Sequence, residues 1–99
     1  MKKLEDIKEK LKEIKPQLKE KYGIKEIGIF GSYVRGEQKK KSDLDILVEF
    51  EESAEIGLPE FVHLENILSD VLGVNVDLLT KKVLKPHIGR HILKEVIYL

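Results

Sequence analysis

Leu4, Ile7, Leu11, Ile14, Leu18 and Tyr22 recur every three or four positions, with lysine and glutamate filling most places between them. That spacing sets the apolar residues on one face and predicts an amphipathic helix over about 3–22. Pro16 falls inside the pattern and should kink the helix near Lys15, while Gly23 supplies its stop. The period then changes. IKEIGIF, Ile24–Phe30, is short, rich in β-branched residues and bounded by Gly23 and Gly31, which predicts a strand. A brief helix is expected from Ser32 to about Glu37, then a polar loop through the three lysines Lys39, Lys40 and Lys41.

DLDILVEF, Asp43–Phe50, reads as a second strand, and the acidic EESAEIG after it as a solvated loop. Phe61, Val62, Leu64, Leu68, Val71 and Leu72 mark a second amphipathic helix, with Pro59 suited to its first position and Gly73 to its end. VNVDLL, Val74–Leu79, is a third short strand, and Pro86 opens a last helix reaching about Tyr98. The order α-β-α-β-α-β-α predicts an α/β or α+β fold, with helices around a small sheet of about three strands. In the apolar end, VIYL, Val96 is expected in the core and Tyr98 and Leu99 at an interface.

Composition narrows this picture. At 99 residues the chain is expected to form one domain, 1–99, with no room for a separate substrate domain. Eighteen basic residues balance 18 acidic ones, so wholesale electrostatic attachment to nucleic acid or an anionic membrane is not expected. There is no cysteine, hence no disulfide framework or thiolate metal site, and the start MKKLEDIKEK lacks a signal-peptide core. A cytoplasmic protein is the expectation.

The candidate chemistry sits in FGSYVRGEQKKKSDLDILVEF, Phe30–Phe50. Residues two apart on a strand share a face, so Asp43 and Asp45 present their carboxylates side by side, roughly 6.5–7 Å apart along the chain. Such neighbours repel unless one takes a proton or a cation lies between them. Asp77, inside the apolar VNVDLL, joins them if the second and third strands are neighbours. Three carboxylates on adjacent strands suit a two-metal site, and Mg²⁺ is characteristically held by carboxylates and phosphate oxygens. The bland alternative, an aspartate serving as a turn former at a strand start, fits Asp43 better than Asp45 or Asp77. The Gly31–Ser32 turn between a strand and a helix could cradle a phosphate on its N–H groups and hydroxyl, or could be a plain turn with Ser32 as N-cap. Arg35 lies about one turn further on, placed for an anionic ligand. His87 and His91 are four apart on the last helix without the glutamate of a zinc-protease motif, and read as a surface pair.

Gly31-Ser32-x-x-Arg35-Gly36 followed by Ser42-Asp43-x-Asp45 resembles the signature of the nucleotidyltransferase superfamily related to DNA polymerase beta. VDLLT around Asp77 and the tail LKPHIGRHILKEVIYL extend the likeness to the minimal nucleotidyltransferases, antitoxin partners of HEPN-domain toxins. The resemblance implies a nucleotidyltransferase fold on a small mixed sheet. It implies that Gly31 and Ser32 bind the triphosphate of ATP, with Arg35 a nucleotide or structural contact. It implies that Asp43 and Asp45 ligate two Mg²⁺ ions, and that Asp77 completes the catalytic site. The activity implied is transfer of AMP to a tyrosine hydroxyl of a HEPN RNase toxin, in a hetero-oligomer with that toxin. The rival expectations are an antitoxin that neutralises by stoichiometric binding alone, and a nucleotidyltransferase with an RNA or small-molecule acceptor.

Overall fold

A computed structural model describes residues 3–83 and 86–99. The elements run α1 (Leu4–Tyr22), β1 (Ile24–Phe30), α2 (Ser32–Arg35), β2 (Leu44–Phe50), α3 (Leu58–Leu72), β3 (Val76–Thr80), a short 3-10 turn (Lys81–Val83), α4 (Pro86–Glu95) and β4 (Ile97–Tyr98). The sheet is mixed, in the order β3-β2-β1-β4, with β2 and β3 parallel and the other pairs antiparallel. No helix among the described residues is long and apolar enough to cross a membrane.

Strand alternation gives the sheet two different faces. Ile27 and Ile29 of β1, Leu44, Ile46 and Val48 of β2, and Val76 and Leu78 of β3 all lie in register and all are buried. They form one core with Ile7, Leu11, Leu18 and Tyr22 of α1 and Leu64, Leu68 and Leu72 of α3. Each such side chain, fully buried, is worth about 1.5–3 kcal/mol in transfer free energy. Phe30, Asp45, Leu47, Asp77 and Leu79 occupy the alternate positions, hence the second face. The aspartates therefore cost the main core nothing.

α1 is a single helix through Pro16, which sits at an exposed position. Between β2 and β3, α3 is the crossover that a parallel pair requires. Its first turn is tied by Glu60, whose carboxylate accepts the Gly57 N–H at 2.9 Å.

Three expectations are corrected. The sheet has four strands, because the last helix stops at Glu95 and Ile97–Tyr98 pair with Gly28 and Ile29 of β1. The β-branched Val96 and Ile97 are poor helix continuers and fit a sheet edge. Gly28 makes the pairing possible: a Cβ there would press on the Val96 side chain and come within 3.1 Å of the Ile97 carbonyl. Leu99, expected at an interface, packs against the core, its N–H bonded to the Ile27 carbonyl at 3.0 Å and its own backbone oxygen taken by Lys15. Tyr98 is exposed, its ring 4.9 Å from the Lys81 ammonium. Finally, α2 is one turn only, stopped by Gly36 in the left-handed conformation. His91 is exposed, whereas the side chain of its partner His87 lies outside the described residues.

Candidate active site

The sheet brings the motif residues together at one end. β1 runs antiparallel to β2, so the last residue of β1 meets the start of β2, and Phe30 pairs with Asp45. β2 and β3 run parallel, so their starts lie together, and Asp45 pairs with Asp77. Side chains in register on a parallel pair point to the same face. Asp45 is thus flanked by the Gly31 turn on one side and Asp77 on the other.

Gly31 is built for that contact. Its φ of 84° lies in the region that side chains rarely adopt. A Cβ there would stand 2.9 Å from the Asp45 Cγ and closer still to a carboxylate oxygen. The turn is closed by the Gly31 carbonyl, which accepts the Val34 and Arg35 N–H groups at 3.1 and 3.2 Å. Ser32 follows, half-buried, as the first residue of α2. With one turn of helix behind it the turn gains little from a helix dipole, and its polar groups are individual N–H groups and the Ser32 hydroxyl.

Asp43 precedes β2 and is exposed, Asp45 is half-buried and Asp77 exposed. Burial first, then the Asp77 and Asp43 carboxylates, push the Asp45 carboxyl up to about 6, with the Arg35 guanidinium acting in the opposite direction. Burial, and then Asp43, also raise the Tyr33 phenol. The three carboxylates therefore act on one another, as their spacing led us to expect. They stand as an acidic strip: among the described residues no three acidic or imidazole groups close on a single point as a preformed metal cage would. Mutual repulsion favours that open arrangement. Hard oxygen donors short of positive charge fit a hard divalent cation whose remaining ligands are water and phosphate oxygens.

Arg35 is half-exposed, and its two arms are engaged: Nε donates to Glu37 and Nη1 to Glu95, both at 2.6 Å. The lysines of the following loop are solvated, and Ser42 ties that loop by accepting the Lys39 N–H at 2.8 Å.

Two groups of supporting residues escaped the sequence reading. Glu95 reaches from α4 to the Gly31 turn, a contact across 64 positions with no local signal. Ser69 and Glu65 of α3 hold the outer edge of β3: Ser69 Oγ accepts the Val76 N–H at 3.1 Å and Glu65 accepts the Leu78 N–H at 2.9 Å. They bracket Asp77 and cover a strand edge that would otherwise be open. Their spacing of four on the half-buried flank of an amphipathic helix was a usable signal. Beside them a polar cleft of about 430 Å³ opens between Asp43, Asn66, Asn75 and Asp77. The two larger clefts, about 1040 and 720 Å³, are lined by residues away from the carboxylates.

The family model of the nucleotidyltransferase domain matches residues 11–99. The chain belongs to that family. Among curated relatives, a protein adenylyltransferase MntA of Thermococcus cleftensis is 50% identical over 95 residues, covering 96% of this chain and 94% of its own. A solved minimal nucleotidyltransferase superposes with a TM-score of 0.82 at 34% identity, over 99% of this chain and 97% of that one. The fold alone is shared, at 18% identity and a TM-score of 0.66, with a chain from the complex of a tri-AMPylated Shewanella oneidensis HEPN toxin with MNT antitoxin. That match covers 93% of this chain and 70% of the other. Within this domain the strand register sets Asp77 opposite Asp45, and Asp45 opposite Phe30, the residue before the Gly31 turn.

Proposed function

We propose that this nucleotidyltransferase moves AMP from ATP onto a tyrosine hydroxyl of a HEPN-domain RNase toxin, so neutralising it. The observation that carries the proposal is the register pairing of Asp45 with Asp77 beside the Gly31 turn, which sets acidic groups and the N–H donors of that turn a strand apart. The adenylyltransferase relative supports the donor, and the antitoxin complex supports the class of acceptor.

In this reading the Gly31–Ser32 turn receives the triphosphate and Arg35 adds a guanidinium to its charge. Asp43, Asp45 and Asp77 would hold Mg²⁺, two ions in the family pattern. A divalent cation held there would supply charge neutralisation of the triphosphate and a lowered pKa for the attacking hydroxyl. The acceptor oxygen forms a bond to the α-phosphorus as the bond to the bridging oxygen of the β-phosphate breaks. Pyrophosphate leaves with that oxygen, and in this reading Asp77 takes the hydroxyl proton. Residues 1–99 act as one domain, and the acceptor arrives on the surface of the partner, in the cleft between Asn66, Asn75 and Asp77.

The test is incubation with Mg²⁺, α-labelled ATP and the folded HEPN protein encoded beside it. Label on the toxin is expected, together with loss of its RNase activity. An unlabelled toxin would refute transfer. If Asp43→Asn with Asp45→Asn still neutralises the toxin as well as the parent at equal expression, the protein acts by stoichiometric binding. Label on RNA or a small molecule in place of the toxin would reassign the acceptor.

A further inference from the structure

The Gly31 amide and Arg35 already share an anion. Glu95 Oε1 accepts the Gly31 N–H at 3.0 Å and the Arg35 Nη1–H at 2.6 Å. The Glu95 side chain is only 19% exposed, so this carboxylate is not a loosely solvated surface group. It also lies near enough to add to the negative potential at Asp45. One oxygen held between a backbone N–H of a glycine turn and a guanidinium is the hydrogen-bonding pattern of a bound phosphate oxygen. Arg35 keeps a second partner, Glu37, so it would not be left unpaired if Glu95 withdrew.

We infer that Glu95 is an internal anion holding the place of a nucleotide phosphate oxygen on the Gly31 amide and Arg35, and that a nucleoside triphosphate binds by displacing it. Glu95 thereby sets the affinity of the site. This rests on reading the Gly31–Ser32 turn as the phosphate site. A rival role, a clamp that merely ties α4 to the turn, predicts the opposite effect of neutralising the residue. Loss of a clamp loosens the turn and weakens nucleotide binding, whereas loss of a competing anion strengthens it.

The experiment is calorimetric titration of the full chain, with Mg²⁺, using a non-hydrolysable ATP analogue, inorganic triphosphate and adenosine. Glu95→Gln keeps the shape and removes the charge. It should bind the analogue and triphosphate roughly tenfold more tightly than the parent, a modest gain for a partly solvated charge pair, with adenosine unchanged. Equal or weaker binding of the analogue by a Glu95→Gln protein with the parent's melting temperature overturns the inference. So does equal tightening of adenosine, which carries no phosphate. Should Glu95→Gln fail to fold, the parent itself decides. Its Glu95 side-chain carboxyl and Gly31 amide resonances must both move on adding triphosphate, and a Glu95 signal unmoved at saturation overturns the exchange. If neither parent nor variant binds triphosphate, the phosphate-site reading falls and this inference with it. If the parent binds and the variant gains nothing, only this inference falls.

Discussion

Asp45 of β2 and Asp77 of β3 are register partners on parallel strands, and both point away from the core that Leu44, Ile46, Val76 and Leu78 build on the opposite face. A carboxylate held beside another on a half-buried surface has an electrostatic cost that the fold bears at neutral pH. That cost yields measurable consequences.

The first is a pH dependence. The Asp45 carboxyl titrates at about 6 in the folded chain against an ordinary 3.8, so between those values the folded state holds more proton than the unfolded one. A raised acid pKa therefore makes stability fall as pH climbs from about 4 to about 6, with no further change above. Solvent screening of a half-buried group reduces the effect to about 1–2 kcal/mol. Other carboxylates titrate in the same range, so the measurement is the difference between parent and Asp45→Asn. Denaturant midpoints at about pH 4.5 and about pH 7.5 should show the parent losing more stability than the variant. Parallel pH profiles would disprove it.

Neutralising Asp45 should separate stability from activity. Asp45→Asn is expected to be more stable than the parent at neutral pH by about 1 kcal/mol, because a repelled charge is gone. AMP transfer should fall by about 10²–10³-fold or more. Thermal melting and labelled transfer on the same preparation check both halves, and a variant that is less stable than the parent contradicts the electrostatic account.

Metal dependence follows from the same strip. Adding Mg²⁺ at neutral pH should raise the melting temperature of the parent, since a cation that binds the folded carboxylates adds stability in proportion to their occupancy. Asp45→Asn and Asp77→Asn should lose most of that shift, and chelation should reverse it in the parent. An equal shift in all three proteins would place the cation elsewhere.

Gly31→Ala tests the turn. The positive φ and the collision with the Asp45 carboxylate act together. We expect a loss of about 1–3 kcal/mol in unfolding free energy. Transfer activity should fall further than stability alone explains, because Asp45 must move. Wild-type stability in Gly31→Ala would show that the close approach is not maintained in solution.

Ser69→Ala tests the support behind Asp77. It removes the acceptor of the Val76 N–H, a partly buried bond worth about 1–2 kcal/mol when its donor is left unpaired. Mg²⁺ affinity should weaken as well, because the start of β3 loosens beside Asp77. Unchanged stability together with unchanged Mg²⁺ affinity would show that Ser69 plays no part in holding the strand.

Local pattern carried much of this protein. The three-and-four spacing from Leu4 to Tyr22 yields α1, with one buried face. Alternation around Asp45 separates core from site on β2, since neighbours on a strand take opposite faces. The Gly-Ser turn and the Asp-x-Asp pair were legible because their chemistry depends on positions close in sequence. The single turn of α2 was less so, since Gly36 stops it earlier than the polar run suggests.

What the tertiary structure alone decided depends on contacts between distant positions. No local feature of VNVDLL says which strand it joins, in which direction, or in which register; a shift of one residue would have turned Asp77 into the core. The crossover through α3, and the capping of the β3 edge by Ser69 and Glu65, set that register. The fourth strand needed Gly28, 69 positions before Ile97, to leave space for it. Glu95 meets Gly31 and Arg35 only because α4 returns to the end of β1. The sequence by itself determined which residues are candidates for the chemistry, because side-chain type and strand alternation are local properties. Their convergence waited on the fold, because strand order and register are settled by long-range packing.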